Sequence, residues 1–212
     1  RYTRRGEWEY RKMVGYLELS LEKQTGNYMI FFPSYEMLSA VYEIARDSNL
    51  ALVSELVVQE PFMEEKSRED FLEKFRRKEG KPQIGFCVLG SIFSEGIDLT
   101  GESLIGVVIV GTGLPQICNE REVIREYFDR QQKKGYDYAY RYPGMNKVLQ
   151  AAGRVIRTAQ DTGTILLMDE RFLERENQKL FPEEWDSYYG VNRQNYGKVL
   201  KDFWEERRRR ES

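Results

Sequence analysis

The 212-residue sequence predicts an α/β fold: a mainly parallel sheet carrying helices on both faces. Three observations lead there. Short runs that are apolar throughout, such as Tyr28–Phe32 (YMIFF) and Thr164–Met168 (TILLM), read as strands buried on both faces. These runs alternate with segments of helical periodicity. The length suits one hydrophobic core with some additions and falls short of two.

In chain order, residues 8 to 22 read as a helix, Tyr28–Phe32 as a strand, and Glu36–Arg46 as a helix with Met37, Leu38, Val41 and Ile44 on one face and Ser34 as its N-cap. Leu50–Val53 is expected as a strand, Arg68–Lys78 as a helix, and Ile84–Leu89 and Leu104–Val110 as strands. Helices follow over Glu120–Lys133 and Met145–Arg157, then the strand Thr164–Met168 and a further helix near Gln194–Glu206. The expected organisation is one domain over 1–212, with an opening helix over about 1–25 and a peripheral C-terminal tail over about 182–212. In an open parallel sheet ligands gather at the carboxyl ends of the strands, which points to the loops beginning at Pro33, Gly90, Gly111 and Asp169.

Composition narrows the function classes. The sequence is 41% hydrophobic, 13% aromatic and 32% charged, which suits a folded chain with a heavily charged surface. A formal charge of -2 gives no global field for nucleic acid, so any such contact must be local. The basic runs at Arg1–Arg5, Lys74–Lys81 and Arg207–Arg210 read first as solvated faces or tails. With no histidine and only Cys87 and Cys118, neither a zinc nor an iron–sulfur site can be assembled from this sequence alone, and no metal ligands are assigned. Both cysteines are expected as buried reduced thiols, which fits an intracellular setting, cytoplasmic in a prokaryote. The apolar stretch Leu104–Leu114 is too short for a membrane span, and no signal peptide is evident. Arg1 in place of methionine suggests a piece of a longer chain.

Two nucleotide motifs fail. After Gly111-Thr112-Gly113 the third glycine of a dinucleotide fingerprint falls on Gln116, and Pro115 interrupts the helix start. Asp169-Glu170 after an apolar strand looks like a magnesium-holding pair, yet no G-x-x-x-x-G-K-[ST] loop is present. The informative constellation is Gln150-Ala151-Ala152-Gly153-Arg154-Val155-Ile156-Arg157. On a continuous helix Gln150, Arg154 and Arg157 fall within roughly 60° of one another, opposite Met145, Val148, Leu149, Ala152 and Ile156. Two guanidiniums on one face suit the spread charge of a transferring phosphoryl group, and Gly153 permits close approach; a solvated amphipathic helix shows the same pattern.

The string Q-x-x-G-R-x-x-R, within YPGMNKVLQAAGRVIRT, resembles the last motif of superfamily 2 helicases in its XPD/DinG form. GSIFSEGIDLTGE (Gly90–Glu102) resembles the preceding motif, and MIFFPSY (Met29–Tyr35) the first motif of the same domain. The resemblance covers most of Tyr28–Asp169 and implies the second RecA-like motor domain of an ATP-dependent DNA helicase. It further implies that Arg154 and Arg157 face the γ-phosphate of ATP, with Gln150, Gly153 and Asp98 at the nucleotide. Glu95 and Gly96 would couple the nucleotide to DNA, and Ser34 and Tyr35 would lie along the single-stranded DNA track. ATP and Mg²⁺ would be held mainly by an N-terminal RecA-like domain of the same polypeptide, which in this family also carries an iron–sulfur insertion, and movement would be 5′ to 3′.

Other readings stand beside these. Ser34 serves equally as a helix cap, Glu95-Gly96 as a turn, and Asp98 as a brace of its loop. Tyr136, Tyr138, Tyr140 and Tyr142 could stack bases, but alternating tyrosines are more often packing residues. A stand-alone nucleic-acid-binding or protein-interaction module without ATPase activity is the alternative function, and a Rossmann-type enzyme would depend on the defective Gly111 motif.

Overall fold

The computed structural model describes residues 6–77, 79–94, 99, 103–156 and 161–211. In α1 (Glu7–Lys23), Val14, Leu17 and Leu21 recur at helical spacing and are buried. Every residue of β1 (Tyr28–Phe32) is buried, as the central strand of a two-sided sheet requires. Its side chains alternate: Tyr28, Ile30 and Phe32 join a core with α1, α2 (Tyr35–Arg46) and α8 (Tyr196–Glu211), while Met29 and Phe31 join a second core with α4 (Glu65–Arg76) and α6 (Tyr142–Ala152). The Ser34 hydroxyl caps α2 by accepting from the Met37 N–H at 3.3 Å.

Five strands lie in the order β2-β3-β1-β4-β5, and every pairing is parallel. They are β1, β2 (Glu55–Val58), β3 (Gln83–Val88), β4 (Gly106–Val110) and β5 (Thr164–Met168). β5 is an edge strand whose only strand partner among the described residues is β4. At the amino edge Asn27 is a staple: its amide donates to the carbonyls of Phe75 and Ser103, both at 3.0 Å, and its oxygen accepts from the Gln83 N–H at 2.8 Å.

Several expectations are corrected. Leu50–Val53 is not a strand but lies in the short helix α3 (Asn49–Val53), and the strand is the following β2. Ser48 caps α3 through the Leu50 N–H, and Leu52 and Val53 point outward at 71% and 54% exposure. The apolar run continues through both elements, so periodicity could not place the break. α4 begins one turn earlier than expected. The helix expected near Gln194–Glu206 is present as α8, which docks on α1 with Tyr196, Leu200 and Trp204 buried and the Tyr196 hydroxyl 2.8 Å from Ser20 Oγ. Cys87 is buried, as expected, and burial pushes its thiol up. Cys118 is exposed, because it precedes α5 (Asn119–Gln132), a helix with no buried residue.

Candidate functional site

Residues at the carboxyl edge are gathered by Gln59, directly after β2 and 3% exposed. Its amide donates to the Tyr35 hydroxyl at 2.9 Å. Its oxygen accepts from the Val88 N–H at 2.9 Å and from the Ser91 hydroxyl at 2.8 Å. One buried amide therefore ties the loops after β1, β2 and β3 together, and burial lifts the Tyr35 phenol above its ordinary range while the Gln59 hydrogen bond opposes the rise. Sequence reading singled out Ser34 and Tyr35 and missed Gln59. The loop after β4 turns at Gly111 and Gly113, both at positive φ (80° and 67°), and Gly113 packs on the start of α6: a Cβ there would stand 2.6 Å from the Gly144 carbonyl oxygen.

From that contact α6 runs back along the sheet. Its far end lies at the amino edge, where a Cβ on Gly163 would fall 2.1 Å from Val155 Cγ1 and 2.7 Å from the Ile105 carbonyl. The α-helix stops at Ala152, not at Arg157 as expected. Gly153 is its C-cap, and the N–H groups of Arg154 and Val155 bond back to Ala151 and Ala152, each at 3.2 Å, in the tight i→i+3 manner of a fraying last turn. Ile156, expected on the apolar face, is 47% exposed. Arg154 thus sits on a turn, and its Nε donates to the Gln150 carbonyl at 3.1 Å, covering one of the helix's last acceptors. The continuous helical face expected for Gln150, Arg154 and Arg157 is replaced by a helix end in which Gln150, Gly153 and Arg154 are adjacent. Arg157, Asp98, Glu95 and Gly96 lie outside the described residues.

Two groups of candidate residues therefore occupy opposite ends of α6: Ser34 and Tyr35 near its start, Gln150, Gly153 and Arg154 at its finish. Asp169, which resembled a metal-holding carboxylate, is committed elsewhere. Its Oδ1 accepts from the Arg171 backbone N–H and Nε at 2.9 and 2.8 Å, and its Oδ2 from Nη2 at 2.6 Å. Burial acts to raise its pKa, but the Arg171 guanidinium and N–H hold the carboxyl below the usual range. With both oxygens taken, Asp169 is not built to hold Mg²⁺. Among the described residues no group of three or more acidic, cysteine or histidine side chains could hold a metal ion. No described helix is long and apolar enough to cross a membrane.

Three of the four tyrosines in the run are packed, whereas Tyr136 is 44% exposed. Tyr138 stacks on Phe128 of α5 at 3.9 Å between centroids and meets Tyr142 edge-on, and Tyr140 is buried with its hydroxyl on Glu122. Residues Asp137–Arg141 form one π-helical turn leading into α6. Residues 207–210 of the terminal arginine run close α8, where positive charge complements the helix dipole, and Arg208 reaches Gln24 at 3.0 Å.

The helicase C-terminal domain family matches residues 17–188. The chain belongs to that family. Among its relatives are a regulator of telomere elongation helicase 1 homolog of Aedes aegypti, 27% identical over 82% of this chain and 19% of the relative, and a probable ATP-dependent helicase of Methanocaldococcus jannaschii, 29% identical over 72% and 24%. The chain spans less than a quarter of the length of these relatives. Among solved structures, an XPD helicase superposes with a TM-score of 0.66 at 22% identity over 84% of this chain and 31% of that one. The C-terminal domain of the DEAD-box protein Dbp5 gives 0.52 at 14% identity over 91% and 89%. The five-stranded parallel sheet with helices on both faces is accordingly a RecA-like fold of the XPD kind.

Proposed function

We propose that the chain is the C-terminal motor half of an ATP-dependent DNA helicase or translocase. The observation that carries this reading is the family match, which spans every residue singled out from Ser34 to Arg157. In it, Arg154 and Arg157 approach the γ-phosphate of a nucleotide held on a companion RecA-like domain, with Gln150, Gly153 and Asp98 at the nucleotide. The Ser34–Tyr35 loop meets single-stranded DNA, and Glu95 and Gly96 couple the nucleotide to it. Arginine suits the first role because its planar fork of donors keeps its charge at any working pH. The chain's own residues supply positioning and charge; ATP and Mg²⁺ would rest mainly on the companion domain, consistent with the commitment of Asp169 to Arg171.

The test is Arg154→Ala in the longer protein that contains this chain. Loss of a finger of this kind lowers turnover on the order of 10³ to 10⁵ fold, so DNA-stimulated ATPase should collapse while ATP binding changes little, and Lys should not rescue it. Near-normal turnover in the Ala variant would remove Arg154 from the site. The 212-residue chain by itself should show no DNA-stimulated hydrolysis.

A further inference from the structure

We propose that Lys147 is a phosphate-binding residue at the carboxyl edge, contacting the backbone of single-stranded DNA beside the Pro33–Tyr35 and Gly90–Ser91 loops. The inference rests on the motor reading above and adds a contact to it. Lys147 lies on α6 one turn after Gly144. Its stem is laid across Gly90, the first residue beyond Leu89 at the end of β3: a Cβ on Gly90 would fall 2.9 Å from Lys147 Cδ, 3.0 Å from Cε and 3.4 Å from Nζ. Gly90 also has φ +77°, so its missing side chain serves both the turn and the close approach.

That contact fixes where the charge goes. The ammonium lies over Gly90, whose chain neighbour Ser91 is joined through Gln59 to Tyr35. Some helical lysines of this molecule spend their charge on a carboxylate one turn away, as Lys12 does on Glu9 and Lys179 on Glu176. Lys147 does not: α6 contains no acidic residue, and among the described residues no hydrogen bond or ion pair engages it. A half-buried stem has already lost much of its rotamer freedom, so capturing an anion costs less additional entropy than it would for a freely waving lysine.

Position selects the source of the phosphate. Lys147 precedes Arg154 by seven residues, about 10 Å along the axis. A phosphoryl group held at Arg154 stands at the other end of α6, whereas the Ser34–Tyr35 loop stands at this one. A chain of phosphates passing the carboxyl edge meets the Lys147 ammonium; a nucleotide at the amino edge does not.

The experiment is a titration of the 212-residue chain with a fluorescent oligo(dT) over about 50 to 200 mM salt, comparing wild type with Lys147→Met, Lys147→Arg and, as a control for overall charge, the exposed Lys198→Met, with a parallel MgATP titration. Met keeps the stem on Gly90 and is a good helix former, and circular dichroism melting confirms that each variant folds. One phosphate contact contributes about 0.7 to the slope of log K against log salt on a single strand. Lys147→Met should therefore bind about eightfold more weakly at 50 mM and about threefold at 200 mM, while Lys147→Arg keeps the wild-type slope and Lys198→Met changes little. Wild-type affinity and slope in a folded Lys147→Met, an equal loss in Lys198→Met, a lost slope in Lys147→Arg, or a loss confined to MgATP would each overturn the assignment. Absence of DNA binding by wild type would overturn the DNA-track reading and Lys147 with it; binding that ignores Lys147→Met overturns Lys147 alone.

Discussion

Asn27 and Gln59 hold opposite edges of the sheet by the same means, a buried or half-buried side-chain amide bonded to three groups from other segments. Neither was legible in the sequence. Ser34 was, because a serine before a helical run has a local meaning as a cap, whereas the partners of Gln59 lie 24 to 32 residues away and nothing nearby marks them. Asp169 shows a related limit: its place after an apolar strand suggested a metal, and Arg171, two residues on, claims both of its oxygens. Since Asp169 has a depressed pKa in the folded chain, its contribution to stability is complete above the ordinary Asp value of about 3.9 and disappears as pH falls through the depressed one. Asp169→Asn should lower unfolding free energy by about 1.5–3 kcal/mol near pH 7, the range for hydrogen bonds to charged groups. Denaturant melts at pH 7 and below pH 3 check this; a gap that does not shrink in acid means the ion pair is not its source.

At the scale of elements, α6 was found from its periodicity but given the wrong ends, and the error bears on function. The wheel that placed Gln150, Arg154 and Arg157 on one face assumed a helix through Gly153, where a residue without Cβ and with poor helix propensity instead closes the helix. Two glycines of this element are predicted to answer differently to the same change. In Gly144→Ala the new methyl would lie 2.6 Å from the Thr112 carbonyl oxygen and 3.1 Å from the Leu114 nitrogen, backbone atoms that cannot swing aside. Overpacking of about 1–3 kcal/mol should outweigh a helix-propensity gain of at most about 1 kcal/mol, so the chain is destabilised. In Gly153→Ala the nearest atoms are its own last-turn carbonyls at 3.3 and 3.7 Å and φ is -64°, so stability should hold within about 0.5 kcal/mol. Thermal melts of the two variants decide the matter, and equal losses would show that Gly144 is not packed as described.

For the molecule as a whole, the alternation of apolar runs and helical stretches was enough to give a parallel α/β sheet, because strands buried on both faces leave little room for polar residues. Strand order and the docking of α8 were not readable, since both depend on contacts between segments far apart in sequence, such as Tyr196 with Ser20. The separation of the candidate residues toward two edges of the sheet was hidden for the same reason. β5 carries a different consequence. Its outer edge offers backbone donors and acceptors without a strand beside them among the described residues, and its sequence, TILLM, contains no charge and no proline. Glu170 shortly after it and Asp161 shortly before are polar acidic flanks of the kind that disfavours a second copy zipping on. Neutralising that fence with Asp161→Asn and Glu170→Gln should bring on concentration-dependent fibrillation, followed by light scattering and thioflavin fluorescence, in solutions where the wild-type chain stays clear.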